Sequence, residues 1–122
     1  STHDMTTLRG WWEESEEVTA RYYNQAMGQW GEIPAKAEEW ICKDIVKKHL
    51  QSPSLLCILP WQDWMSIDEK LRYPDAEAER INIPANAHHC WCYRMHLTLE
   101  DLMKKNEFNK RVTEMIDESG RY

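Results

Sequence analysis

Nowhere in the 122 residues does an apolar run reach the about 18 residues of a spanning helix, which excludes that class of membrane protein. The opening STHDMTTLRG has neither the basic n-region nor the apolar h-region of a secretory leader. An excess of positive charge is missing too. Fifteen Lys and Arg against 21 Asp and Glu leave a net charge of −6. With the basic residues dispersed, neither nucleic acid nor an anionic membrane is expected as the main partner. There are no internal repeats and no low-complexity segment, and the chain is long enough for one domain at most. Phenylalanine is nearly absent, with one Phe beside seven Trp and five Tyr. Aromatics with a polar edge suit sites that are greasy on one face and wet on the other, such as sugar clefts and interfaces. The four cysteines, with no leader before them, read as reduced thiols in the cytoplasm rather than as a disulfide framework.

Initiator methionine is also lacking, and His3 and Asp4 stand at the very edge of the chain. Terminal residues are poorly ordered unless tied down, so a piece of a longer protein is expected. Residues 1–12 read as a polar loop running into Leu8, Trp11 and Trp12. Helical composition follows from Glu13 to about Met27, with Val18, Tyr22 and Ala26 on one stripe and Gly28 as the stop. After a turn over 28–34, Pro34 suits the first position of a second helix, along which Ala37, Trp40, Ile41, Ile45 and Leu50 keep helical spacing. Ser52-Pro53 ends it. Ser54–Leu59 is the one convincing strand, apolar on both faces as in a buried parallel sheet. Pro60 to Met95 reads mostly as loop. Thr98 with Asp101 forms a capping-box start for a last helix carrying Leu99, Leu102, Met103, Val112, Met115 and Ile116. A break is expected near Asn106, and Gly120 is the stop. Helix, helix, apolar strand, long loop and helix fit one step of an α/β barrel better than a complete fold.

Three groups of residues could carry chemistry. His3-Asp4 is either a catalytic carboxylate at the end of a barrel strand or an exposed terminal dipeptide. His88, His89, Cys90, Cys92 and His96 resemble a metal site in composition. The Cys-x-Cys spacing is tighter than structural zinc sites use, so no metal is expected and a zinc-stabilised domain is the alternative. Trp61-Gln62-Asp63-Trp64 is either a sugar platform or a pair of polar anchors for loop backbone under aromatic cover. Glu13, Glu14, Glu16 and Glu17 read as a solvated helix start, and Lys47-Lys48 and Lys104-Lys105 as surface charge.

Three blocks together resemble one family. STHDMTTLRGWWEE is similar to the His-Asp motif of the 4-α-glucanotransferases of glycoside hydrolase family 77, nearest the branch with the plant cytosolic disproportionating enzyme. SPSLLCILPWQDW resembles the family's strand-to-loop segment, and ERINIPANAHHCWCYRMHLTLEDL its closing loop. The resemblance implies that residues 1–122 are the C-terminal portion of a (β/α)8 TIM barrel, an incomplete domain that alone is mainly α with at most one or two short strands. It implies a retaining transglycosylase acting on α-1,4-glucans and maltooligosaccharides without a cofactor. In such chemistry a nucleophile and an acid/base stand about 5–5.5 Å apart across an oxocarbenium-like transition state. Both would lie upstream of this chain. Asp4 would be the third carboxylate, the stabiliser of that transition state. His3 and Asn82 would face the sugar, and Gln62, Asp63, Arg80, Pro84, Trp91 and Arg94 would shape the surrounding loops. Cys90 and Cys92 fall where relatives carry an aromatic and a basic residue, and Trp61 replaces an aliphatic one.

A small helical module that binds protein or carbohydrate without catalysis is the remaining alternative. For the isolated piece, the two-faced strand with Trp11-Trp12 and Trp61–Trp64 beside it implies exposed apolar surface. A homodimer is therefore expected, with refolding of Ser54–Leu59 under the chain's own helices as the other outcome.

Overall fold

A computed structural model describes residues 2–121. Its first helix, α1, spans Leu8–Glu14 and starts because Thr7 is extended and its hydroxyl accepts from the Gly10 amide at 3.2 Å. It starts earlier than the helix expected from Glu13, and it does not run on. Ser15 turns extended (φ −151°, ψ 109°) and caps a separate helix α2, Glu16–Arg21, by accepting from the Val18 amide at 3.5 Å. A serine hydroxyl competes with the helix for backbone groups, which is why the expected single helix divides there. A π-helical turn, Tyr22–Ala26, follows α2. The chain then leaves through Gly28, whose φ of 66° is open to glycine at no steric cost.

Pro34 does not begin a helix. Its carbonyl accepts from Trp12 Nε1 at 2.8 Å, which holds the irregular stretch ahead of α3 (Glu39–Leu50) against α1. Helix α3 carries the centre of the core, with Ile41, Cys42, Ile45, Val46 and Leu50 buried. The loop expected after Pro60 opens instead with one helical turn, α4 (Trp61–Met65). Pro60 is extended ahead of it, and Asp63 lies in its first turn, where a carboxylate suits the helix dipole. A 3₁₀ turn at Glu77–Glu79 is the other regular piece before α5 (Leu99–Met103). The capping box at α5 forms as expected: the Asp101 amide donates to Thr98 Oγ1 at 3.1 Å, and the Thr98 hydroxyl donates to Asp101 at 2.9 Å. The break before α6 (Asn106–Glu118) also falls at the expected place. Arg111 ties α6 inward, donating to the Ile67 carbonyl at 2.9 Å and to Glu39 at 3.0 Å.

One core unites these pieces. Leu8, Trp12 and Tyr23 from the first half meet Ile41, Ile45 and Val46 of α3, Met65 and Ile67 around α4, and Phe108 and Met115 of α6. The tryptophans expected at the surface are largely inside it. Trp12 is 2% exposed, and Trp11, Trp61 and Trp64 pack half-buried against the core. Trp30, Trp40 and Trp91 are the ones that face solvent.

Among the described residues there is no strand. Ser54–Leu59 runs without a partner, and Leu55 is 94% exposed, with Leu56 and Ile58 nearly as bare. A strand forms its backbone hydrogen bonds only with a neighbouring strand, and among the described residues none lies beside this segment. Nor does the segment refold beneath the helices; only Cys57 and Leu59 reach the core edge. Arg121 grips its start, donating to the carbonyls of Ser52 at 2.7 Å and Ser54 at 2.8 Å. No helix among the described residues is long and apolar enough to cross a membrane.

Candidate functional site

Asp4 lies just ahead of α1, and Asn82 lies three residues past the Glu77–Glu79 turn. Seventy-eight positions apart, they meet: Asn82 Nδ2 donates to Asp4 Oδ1 at 2.7 Å. His3 Nε2 stands 3.3 Å from the other oxygen, Asp4 Oδ2. The His3 ring rests against Trp91 with centroids 4.7 Å apart and planes tilted by 45°. Both oxygens of Asp4 are thus oriented by neighbours, while its side chain and that of His3 remain half exposed at 52% and 51%. An oriented carboxylate open to solvent, beside an exposed aromatic face, can accept hydrogen bonds from hydroxyls and stabilise nearby positive charge. Trp91, expected to shape the loop, is itself part of this group.

Gln62 and Asp63 sit elsewhere, and both are buried. Asp63 Oδ1 accepts from the Leu8 amide at 2.8 Å, satisfying an otherwise unpaired donor at the start of α1. Gln62 Nε2 donates to the Glu79 carbonyl at 3.1 Å. Both are backbone anchors, as one of the two readings of this tetrapeptide had it, and neither presents its polar edge as a sugar platform. Arg80 has its Nε buried and unpartnered, and its guanidinium is 3.9 Å from Glu77. It lines a cleft of about 490 Å³ together with Asp4, Thr6, Trp11 and His49. Pro84 is exposed. Arg94 is also exposed and donates to the neighbouring Tyr93 carbonyl at 2.9 Å.

The His and Cys residues of the closing loop do not converge. Among the described residues no group of three His, Cys, Asp or Glu side chains could hold a metal ion. His89 Nε2 donates to the Ile81 carbonyl at 3.1 Å, and His96 Nε2 to the Leu71 carbonyl at 2.8 Å. Cys90 and Cys92 are exposed free thiols. Cys42 is buried in α3, and burial pushes its thiol up from the ordinary range.

Sequence alone does not mark Arg9 and Glu79, yet they form a deeply buried ion pair near the site. Arg9 Nη1 lies 3.2 Å from Glu79 Oε2, with the side chains 7% and 2% exposed. Loss of water around Glu79 raises its pKa, and the Arg9 guanidinium works against that rise. A charged Glu in the polar run DAEAER carries no signal of burial, because its ion-pair partner Arg9 lies far away in sequence.

The family model for 4-alpha-glucanotransferase matches residues 1–99, the stretch holding Asp4, Asn82 and Trp91. The chain is 36% identical over 121 residues to "4-alpha-glucanotransferase DPE2" of Oryza sativa subsp. japonica, covering 99% of this chain and 13% of that one. It is 28% identical over 112 residues to the "4-alpha-glucanotransferase" of Chlamydia trachomatis, covering 89% of this chain and 20% of that one. The Chlamydia caviae protein of the same name is 27% identical over 117 residues, 95% of this chain and 22% of its own. The chain therefore spans about an eighth to a fifth of these relatives. No solved structure matches it. With the family's model running from the His3-Asp4 pair through the closing loop, the chain belongs to the 4-alpha-glucanotransferase family.

Proposed function

We propose that this chain supplies one side of a glucanotransferase active site, in a protein that moves α-1,4-glucan segments between maltooligosaccharides by a retaining mechanism. Asp4 is the transition-state stabiliser, accepting from hydroxyls of the reacting glucose and opposing the positive charge of an oxocarbenium-like state. His3 and Asn82 orient that carboxylate and face the same sugar, and Trp91 offers it an apolar face. The nucleophile and the acid/base belong to the remainder of the protein. The single observation behind this reading is the 2.7 Å bond from Asn82 to Asp4, which joins two of the family's motif blocks around one exposed carboxylate.

The same reading makes residues 1–122 the last part of a (β/α)8 barrel, with Ser54–Leu59 as a strand between two others. Its support is the segment's apolar character on both faces and its lack of a partner here. In isolation the chain covers that surface as a two-fold homodimer, the commonest closed arrangement. Four free thiols suit a reducing compartment, and so a cytoplasmic enzyme of starch or maltose metabolism.

The test is glucan transfer by the full-length protein. Asp4→Asn keeps the shape and removes the charge, and should lower the rate about 10²–10³-fold with the fold intact. The isolated chain should transfer nothing. An unchanged rate in Asp4→Asn removes Asp4 from the site, and transfer by the isolated chain overturns the division of roles.

A further inference from the structure

The Asp4–Asn82 contact closes a ring whose opposite side is the buried ion pair. On one chain segment Asp4 leads through Leu8, whose amide is pinned to Asp63 at 2.8 Å, to Arg9. On the other, Asn82 lies three residues after Glu79. Arg9 and Glu79 meet at 3.2 Å, so the two segments are joined twice, once in the core and once at the site. We propose that Glu79, held by Arg9, is a positioning residue that sets where Asn82 meets Asp4. The inference rests on the functional reading above and assigns part of its geometry to a pair that touches no sugar.

Glu79 is fixed from several directions. Its Oε1 accepts from the Tyr73 amide at 3.2 Å, and its own carbonyl accepts from Gln62 at 3.1 Å. The guanidinium of Arg9 also donates to the carbonyls of Tyr73 at 2.6 Å and Pro74 at 3.2 Å. Helix α1 and the 73–74 turn therefore hold the Glu79 carboxylate, and helix α4 holds its backbone carbonyl. From it Arg80 runs extended (φ −68°, ψ 136°), and the next carbonyl, of Ile81, accepts from His89 at 3.1 Å. Three residues span at most about 10 Å, so a tether this short passes a shift of Glu79 on to Asn82. A buried, multiply bonded ion pair has few alternative geometries, because each leaves a charge or a donor without a partner.

The experiment is a double-mutant cycle in the full-length protein, with kcat and KM on maltotriose and the melting temperature as readouts. Asp4→Asn comes first: an unchanged rate overturns the functional reading, and this inference with it. With that loss established, Glu79→Gln should lower kcat about 10- to 100-fold, the scale of a small misplacement in an active site. KM should stay within about twofold, because the lost interaction belongs to the transition state. In an Asn82→Ala background the same substitution should change kcat by less than about twofold, since the group being positioned is gone. If Glu79→Gln does not fold, Glu79→Asp keeps the charge and shortens the reach. It should lower kcat about 3- to 10-fold and lose that effect in Asn82→Ala in the same way. A loss of melting temperature at unchanged kcat, or losses of kcat that multiply in full with Asn82→Ala, would overturn the proposal and leave the pair a structural one.

Discussion

Helix α3 and the segment Ser54–Leu59 are separated by three residues and are both rich in branched apolar side chains, yet they end in opposite environments. Ile41, Cys42 and Val46 have no exposed surface, whereas Leu55 is 94% and Ile58 84% exposed. The difference lies in where each finds its backbone partners. A helix bonds to itself and needs only one apolar face covered, which Leu8, Trp12, Met65 and Phe108 do here. A strand bonds to other strands, and one with two apolar faces needs cover on both. Within this chain the first condition can be met and the second cannot. The contrast fits a piece of a larger sheet whose helical face is complete and whose strand side is open.

Breaking the helical half should be costly. Arg9→Met leaves Glu79 buried without its partner and should destabilise the chain by about 3–5 kcal/mol, read by denaturant unfolding. Ile41→Ala, at a site with no exposed surface, should cost about 2–5 kcal/mol. The matching change on the open side, Leu55→Ala, should alter the stability of the dissociated monomer by less than about 0.5 kcal/mol, because nothing in its own chain packs on it. At concentrations where the homodimer forms the loss at Leu55 should be larger, and sedimentation of the same samples should show the two-fold species; a small loss with a clean monomer at every concentration would overturn the homodimer.

A smaller effect sharpens the account of the buried pair. Burial holds the Glu79 pKa above its ordinary 4.5, so the folded state keeps that proton to higher pH than the unfolded chain. Its contribution to stability is full below 4.5 and is lost as pH rises through the raised folded value. Glu79→Gln should flatten the decline of melting temperature across that window. An identical slope in wild type and variant would mean that another group titrates there.

Much of the site was legible in sequence. The motif blocks marked His3, Asp4 and Asn82 as site residues and Trp91 as a loop-shaping one, and the structure places Asn82 and His3 on the Asp4 carboxylate and Trp91 against His3. The local signals of Thr98, Asn106 and Gly120 likewise acted where they stand, because caps and stops depend on neighbours in the chain. What escaped depends on distant partners. Glu79 reads as one more solvated acid until Arg9, 70 positions away, meets it. Trp12 is buried because the Pro34 carbonyl satisfies its ring N–H, and sequence spacing carries no trace of that bond. Ser54–Leu59 shows the converse: its apolar pattern reads as a strand, and among the described residues no strand pairs with it.

The central claim is that the rest of the full-length protein completes this open side, and amide hydrogen exchange over Ser54–Leu59 tests it most directly. In the isolated chain, diluted until the homodimer has dissociated, these amides should exchange as fast as free peptide, while those of α3 are protected. In the full-length protein the Leu55, Leu56, Cys57 and Ile58 amides should slow by about 10³-fold or more, as those of a central strand do. Fast exchange over this segment in the full-length protein would contradict the account.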